Sequence, residues 1–295
     1  MDPIPGRPPT AADLLADEPT PFRWRLGVRP LDLRDWLLID DHYDDEMIEI
    51  RSLIDRHHTS VFALPGSTDA AAEVRAVMVD HLRVRYPNRF HDLDDDELAE
   101  DPMPLAVSRS LVQEDLCLLQ RADAGWLMTA GAVVIPTAWD VESKIGQRLD
   151  RIHSPVPRAN DELATPMARF FDRLRVDRPV WRANRSLTED GSLRLEPGHR
   201  GEHANPDITA NNVAEHLWLR VEYQTLRRFP VHGSILFTIR ILRQRLDSLA
   251  DRPDLLRELV RSIEVIPPDV AAYKRSTTRH LEPLRTWVGG LSGTA

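Results

Sequence analysis

The fold is decided by the stretch Leu217-Trp218-Leu219-Arg220-Val221-Glu222-Tyr223-Gln224-Thr225-Leu226, with Arg227-Arg228-Phe229-Pro230 and Gly233 leading into Ile235-Leu236-Phe237-Thr238-Ile239-Arg240-Ile241. Both runs are rich in β-branched and apolar residues and are bounded by turn formers, which predicts strands over 215–225 and 233–243. So short a connection makes them antiparallel. Side chains alternate along a strand. Trp218, Arg220, Glu222 and Gln224 therefore share one face, while Leu217, Leu219, Val221 and Tyr223 share the other. In the second strand Thr238 and Arg240 lie opposite Ile235, Phe237, Ile239 and Ile241. A third strand, 180–187, carries Arg182 and Asn184 together. Pairing the three gives one polar surface of Arg182, Asn184, Arg220, Glu222, Gln224, Thr238 and Arg240. The residues alone leave two readings of it open, a solvated sheet face or the wall of a pocket.

Working outward, apolar spacing predicts helices over 44–57 and 68–85, the second capped at Ser67 or Thr68 and stopped by Tyr86-Pro87. It predicts a buried helix over 105–121 that includes Cys117, a strand over 126–135, and helices over 141–151 and 161–175. The polar stretch 188–213 reads as a long loop, and 253–288 as helices. Residues 1–20, with four prolines in the first nine positions, read as a loose arm before a single domain over 21–290. Strands and helices do not alternate regularly. The expected class is α+β, an antiparallel sheet surrounded by helices, rather than a doubly wound parallel sheet.

Composition narrows the function. The chain has 295 residues, 38 basic against 47 acidic, for a net charge of −9. An acidic chain lacks the basic face that general nucleic-acid binding needs. One cysteine, Cys117, excludes a disulfide framework, a zinc ribbon and a cysteine-held iron–sulfur cluster within this chain. No apolar run approaches the ~20 residues of a spanning helix, and the N-terminus lacks signal-peptide character. The expected setting is the cytoplasm, without membrane contact. No P-loop, dinucleotide fingerprint, nucleophile elbow or zinc-protease motif is present. Asp94-Asp95-Asp96-Glu97 lacks the turn glycine of a calcium loop, and the adjacent pair His57-His58 diverges. Any redox chemistry would need reducing equivalents from elsewhere. Only Lys144 and Lys274 are lysine.

His153 sits in Ile152-His153-Ser154-Pro155-Val156-Pro157, where two prolines stiffen the chain around the imidazole. By itself it reads either as a satisfied surface histidine or as an axial haem ligand.

The string from Trp139 through Lys144, Gly146 and Ile152-His153 to Pro155-Val156-Pro157 resembles a segment of the haem-dependent oxidative N-demethylase-like family. So do Tyr86-Pro87 with Phe90, Leu111–Asp115, the Arg182-x-Asn184 strand, and Leu219–Pro230 running into Ile235–Arg240. Tyr273-Lys274 fits as well, and the resemblance spans most of 22–275. It implies a PAS-like domain holding b-type haem. Such a domain oxidatively demethylates a small secondary amine of the dimethylamine kind with O₂ and releases formaldehyde. Electrons would come from NAD(P)H through a separate flavin and iron–sulfur reductase. It implies His153 as the axial ligand, Lys144 paired with a haem propionate, and Arg182 and Gln224 beside the cofactor. Glu222 would then serve the amine, with Arg220 or Arg182 as its partner. A structural ion pair between Arg220 and Glu222 is the competing account. Tyr223 stands where the family commonly has arginine, and alternation turns it away from Glu222. A haem-binding sensor or carrier without turnover, or a haem-free scaffold, are the other functions such a domain serves.

Overall fold

The computed structural model describes residues 8–15, 22–56, 60–196 and 205–291. The pair His57-His58 and the middle of the 188–213 loop lie outside them. Seven strands run in chain order: β1 (Arg29–Pro30), β2 (Val61–Ala63), β3 (Asp115–Ala122), β4 (Gly125–Ala132), β5 (Val180–Thr188), β6 (Trp218–Arg228) and β7 (Ile235–Arg245). They form one antiparallel sheet in the order β1-β5-β6-β7-β3-β4-β2. Helices surround it, giving the α+β class. The two edge strands are two and three residues long, and Pro30 sits on one of them, which blunts both edges against further pairing.

The β6–β7 hairpin is the spine. Its register runs from Trp218 opposite Arg245 to Arg228 opposite Ile235. The turn closes where the Phe229 N–H donates to the Ser234 carbonyl at 2.8 Å, with Gly233 at φ 63°. That register corrects one expectation. Gln224 faces Ile239 and Glu222 faces Ile241, while Thr225 faces Thr238 and Tyr223 faces Arg240. Thr238 and Arg240 therefore lie on the side away from Glu222. Alternation fixes the faces within each strand, but a one-residue register step decides which face joins which.

The expected helix over 105–121 is also corrected. The helix is only Pro104–Ser110, and β3 begins at Asp115. Leu116, Cys117, Leu118 and Leu119 are all buried because β3 lies between β7 and β4 with both faces covered. Such a short apolar run has no period that separates strand from helix. Helices Tyr43–Arg56, Thr68–Arg85 and Ala159–Arg173 form close to expectation, while 141–151 breaks into a 3-10 turn at Glu142–Lys144 and a single helical turn at Leu149–Ile152. Ser67 stands at the N-cap of the second helix, but its hydroxyl donates back to the Leu64 carbonyl. The N-terminal arm is not loose throughout, since Ala11, Ala12 and Leu14 are buried in the main core.

The sheet divides the molecule. The face bearing Leu219, Val221 and Tyr223 belongs to the main core with Trp36, Met47 and Met78, and the Tyr223 hydroxyl donates to the Asp35 carbonyl at 3.1 Å. The face bearing Gln224 and Leu226 looks toward the helix Ala159–Arg173, whose Met167 and Phe171 pack with Leu119 and Leu226.

Candidate active site

Between that second face and its covering segments lies a cavity of about 470 Å³, within the ~300–1,000 Å³ of ligand sites. Its floor includes Arg182, Asn184, Glu222, Gln224, Phe237 and Cys117 from four strands. At one end of β6 the floor is apolar, with Leu226 under Met167 and Phe171; toward Glu222 it becomes polar. The Cys117 thiol is pushed up by burial and acts as part of the apolar wall.

His153 caps the helical turn Leu149–Ile152. Its Nδ1 lies 2.7 Å from the Leu149 carbonyl. A carbonyl only accepts, so Nδ1 carries the proton and Nε2 keeps its lone pair. Nε2 has no hydrogen-bond partner among the described residues, and the ring lines the cavity. Burial, reinforced by the positive charges of Arg182 and Lys144, lowers its pKa and favours the neutral ring. The loop beyond is locked. Val156 N–H donates to the His153 carbonyl, Arg158 adopts φ 60°, and its guanidinium pairs with Asp269 at 3.1 Å.

Trp24 closes this side. Its indole N–H donates to the Pro157 carbonyl at 2.7 Å, its backbone N–H to Glu162 at 2.6 Å, and the Lys274 ammonium lies 5.5 Å from its ring centroid. Sequence reasoning did not give Trp24 a place in the site, because it stands in a stretch with no periodicity. Glu189 was missed too. It lines the cavity and accepts from His280 Nε2 at 2.7 Å and Arg279 at 3.2 Å. Nothing in a loop position after a strand signals that.

The remaining expected residues separate into two groups. Lys144, Arg182, Gln224 and Glu222 line the same cavity as His153. Arg220 does not, and it makes no ion pair with Glu222. It reaches instead over the end of the sheet to Thr137 Oγ1 (3.0 Å) and the carbonyls of Ser192 (2.9 Å) and Leu193 (2.7 Å). Burial holds its pKa down at about 10. Arg220 thus ties together two loops that contribute Thr137 and Asp190 to the cavity. Among the described residues no group of three His, Cys, Asp or Glu side chains is placed to hold a bare metal ion, and Asp95–Glu100 is an exposed helical turn. No helix among them is long and apolar enough to cross a membrane.

The family model described as haem-dependent oxidative N-demethylase, alpha subunit-like, matches residues 27–281. The chain belongs to that family. Haem dependence comes with membership, and the residues of this N-demethylase-like chain fit such a group. A neutral imidazole offers its lone pair to the cavity while its other nitrogen donates to a carbonyl, the usual arrangement of a metal-ligating histidine. The walls about Met128, Ile152 and Phe170 are apolar. In a protein of net charge −9, basic side chains outnumber carboxylates among the described residues that line the cavity, and such a lining suits a cofactor bearing two propionates.

Proposed function

We propose that this chain is the haem-bearing subunit of an N-demethylase that removes a methyl group from a small secondary amine of the dimethylamine kind. O₂ is the oxidant, and two electrons come from NAD(P)H through a separate flavin and iron–sulfur reductase. In balance, the amine, O₂, two electrons and two protons give the demethylated amine, formaldehyde and water. The observation that carries this reading is the His153 ring, oriented by Leu149 over a cationic, apolar-walled cavity in a chain of this family. The domain is then a PAS-like scaffold working as an enzyme in the cytoplasm.

His153 Nε2 would hold the iron of haem b, with Lys144 and Arg182 offsetting the charge of its propionates. Haem supplies the activation of O₂. The protein's own residues do the rest. Trp24, Leu26 and Phe170 keep water from the apolar end. Glu222 offers a carboxylate to the protonated amine, a charge-assisted contact stronger than a neutral one. The Leu149 carbonyl holds the Nδ1 proton, which raises the ring's electron donation.

The test is the visible absorption spectrum of protein produced with a haem precursor. A Soret band near one per chain is expected, shifting on reduction and on CO addition. His153→Ala is expected to lose it, with haem affinity falling at least about tenfold. No band after reconstitution of the wild-type protein overturns the reading, and an unaltered band in His153→Ala overturns the ligand assignment.

A further inference from the structure

Glu222 is gripped by two neutral side chains. Asn184 is its direct partner across the β5–β6 ladder, and Gln224 stands two residues along the same strand. Opposed residues and residues i, i+2 project to one face, close enough for short amides to reach a carboxylate. Asn184 Nδ2 donates to Glu222 Oε2 at 3.2 Å, and Gln224 Nε2 donates to the same oxygen at 2.8 Å. Oε1 accepts no hydrogen bond from the described residues, the Arg220 guanidinium attracts Glu222 only from beyond ion-pair distance, and the Glu222 side chain lines the cavity.

We propose that Asn184 and Gln224 are positioning residues that pin Oε2 and leave Oε1 as a single directed acceptor, so that the site selects small organic cations carrying an N–H and rejects quaternary ammonium ions. This rests on the amine reading above. A clamp of two neutral amides on one oxygen fixes the carboxylate plane without an ion pair to it. A quaternary ion brings charge but no donor, and it is ordinarily held by a cage of aromatic faces. A site built to receive an N–H discriminates strongly against an analogue lacking it, because the acceptor is left dry and unpaired.

The experiment is calorimetric titration of the haem-loaded protein with trimethylammonium and tetramethylammonium chloride, which share a charge and differ by an N–H. Wild-type protein is expected to bind trimethylammonium at least about tenfold tighter. In the Asn184→Ala/Gln224→Met double variant that ratio is expected to fall toward one while the Soret band persists. Should the double variant lose the band, Gln224→Met alone decides, with the ratio dropping at least about threefold. Equal binding of the two ions by the wild-type protein, or an unchanged ratio in the deciding variant, overturns the clamp and leaves the amine reading standing. Failure of dimethylammonium, trimethylammonium and tetramethylammonium alike to bind overturns the amine reading, and the clamp with it.

Discussion

Arg240 on β7 lies opposite Tyr223, the neighbour of Glu222 in sequence, so the arginine and the glutamate stand back to back across the sheet. Arg240 is 1% exposed. Its guanidinium reaches Asp40 at 2.7 Å and Glu46 at 2.8 Å, and Glu46 also accepts from Gln113 and Arg243. On that side the protein supplies counter-charges from its own helices and loops and then buries them. Glu222, which lines the cavity, receives hydrogen bonds from two amides among the described residues, both on one oxygen. One face closes a carboxylate and guanidinium network around Arg240; the other holds the Glu222 carboxylate with neutral amides alone among its described hydrogen-bond donors.

Removing Arg240 should have the largest effect, because breaking one partner of a buried network strands the rest. Arg240→Met is expected to destabilise the protein by about 3–5 kcal/mol in denaturant unfolding. Glu114 belongs to the same side. It is buried, its Oε1 accepts the Leu38 N–H at 2.8 Å, and burial pushes its pKa up to about 7. The native state then binds more protons than the unfolded chain between the usual glutamate value and about pH 7. Stability from this group is full below that window and is lost as pH rises through it, by about 3 kcal/mol. Glu114→Gln should flatten that part of the stability curve measured from pH 4 to 8. Across the sheet, Glu222→Gln should leave stability within about 0.5 kcal/mol and raise KM for the amine about tenfold, the loss of one charge-assisted contact. A large loss of stability in Glu222→Gln would erase the distinction between the faces.

How much of this was legible varied with the physics of each element. The β6–β7 hairpin could be read because alternation and turn residues agree. So could the helix Thr68–Arg85, with an apolar stripe and a proline stop. β3 could not, because strands buried on both faces carry no period. His153, Lys144, Arg182, Glu222 and Gln224 were legible through the family resemblance together with strand alternation, and they line one cavity. Arg220 followed the same alternation yet missed the cavity. Its long side chain reaches past the end of the sheet to loop carbonyls, and no strand pattern encodes where such a side chain ends. Thr238 and Arg240 were lost to register.

Trp24 meets Pro157 from the middle of the chain and Lys274 from near its end. Contacts between segments so far apart in sequence carry the larger loop-closure costs. The wall that Trp24 makes is therefore held by contacts between three separate segments of the chain. A prosthetic group entering past Trp24 would have to displace a residue held by two hydrogen bonds, one from its indole and one from its backbone. Access to the cavity on this side is thus governed by residues far in sequence from the histidine that lines it.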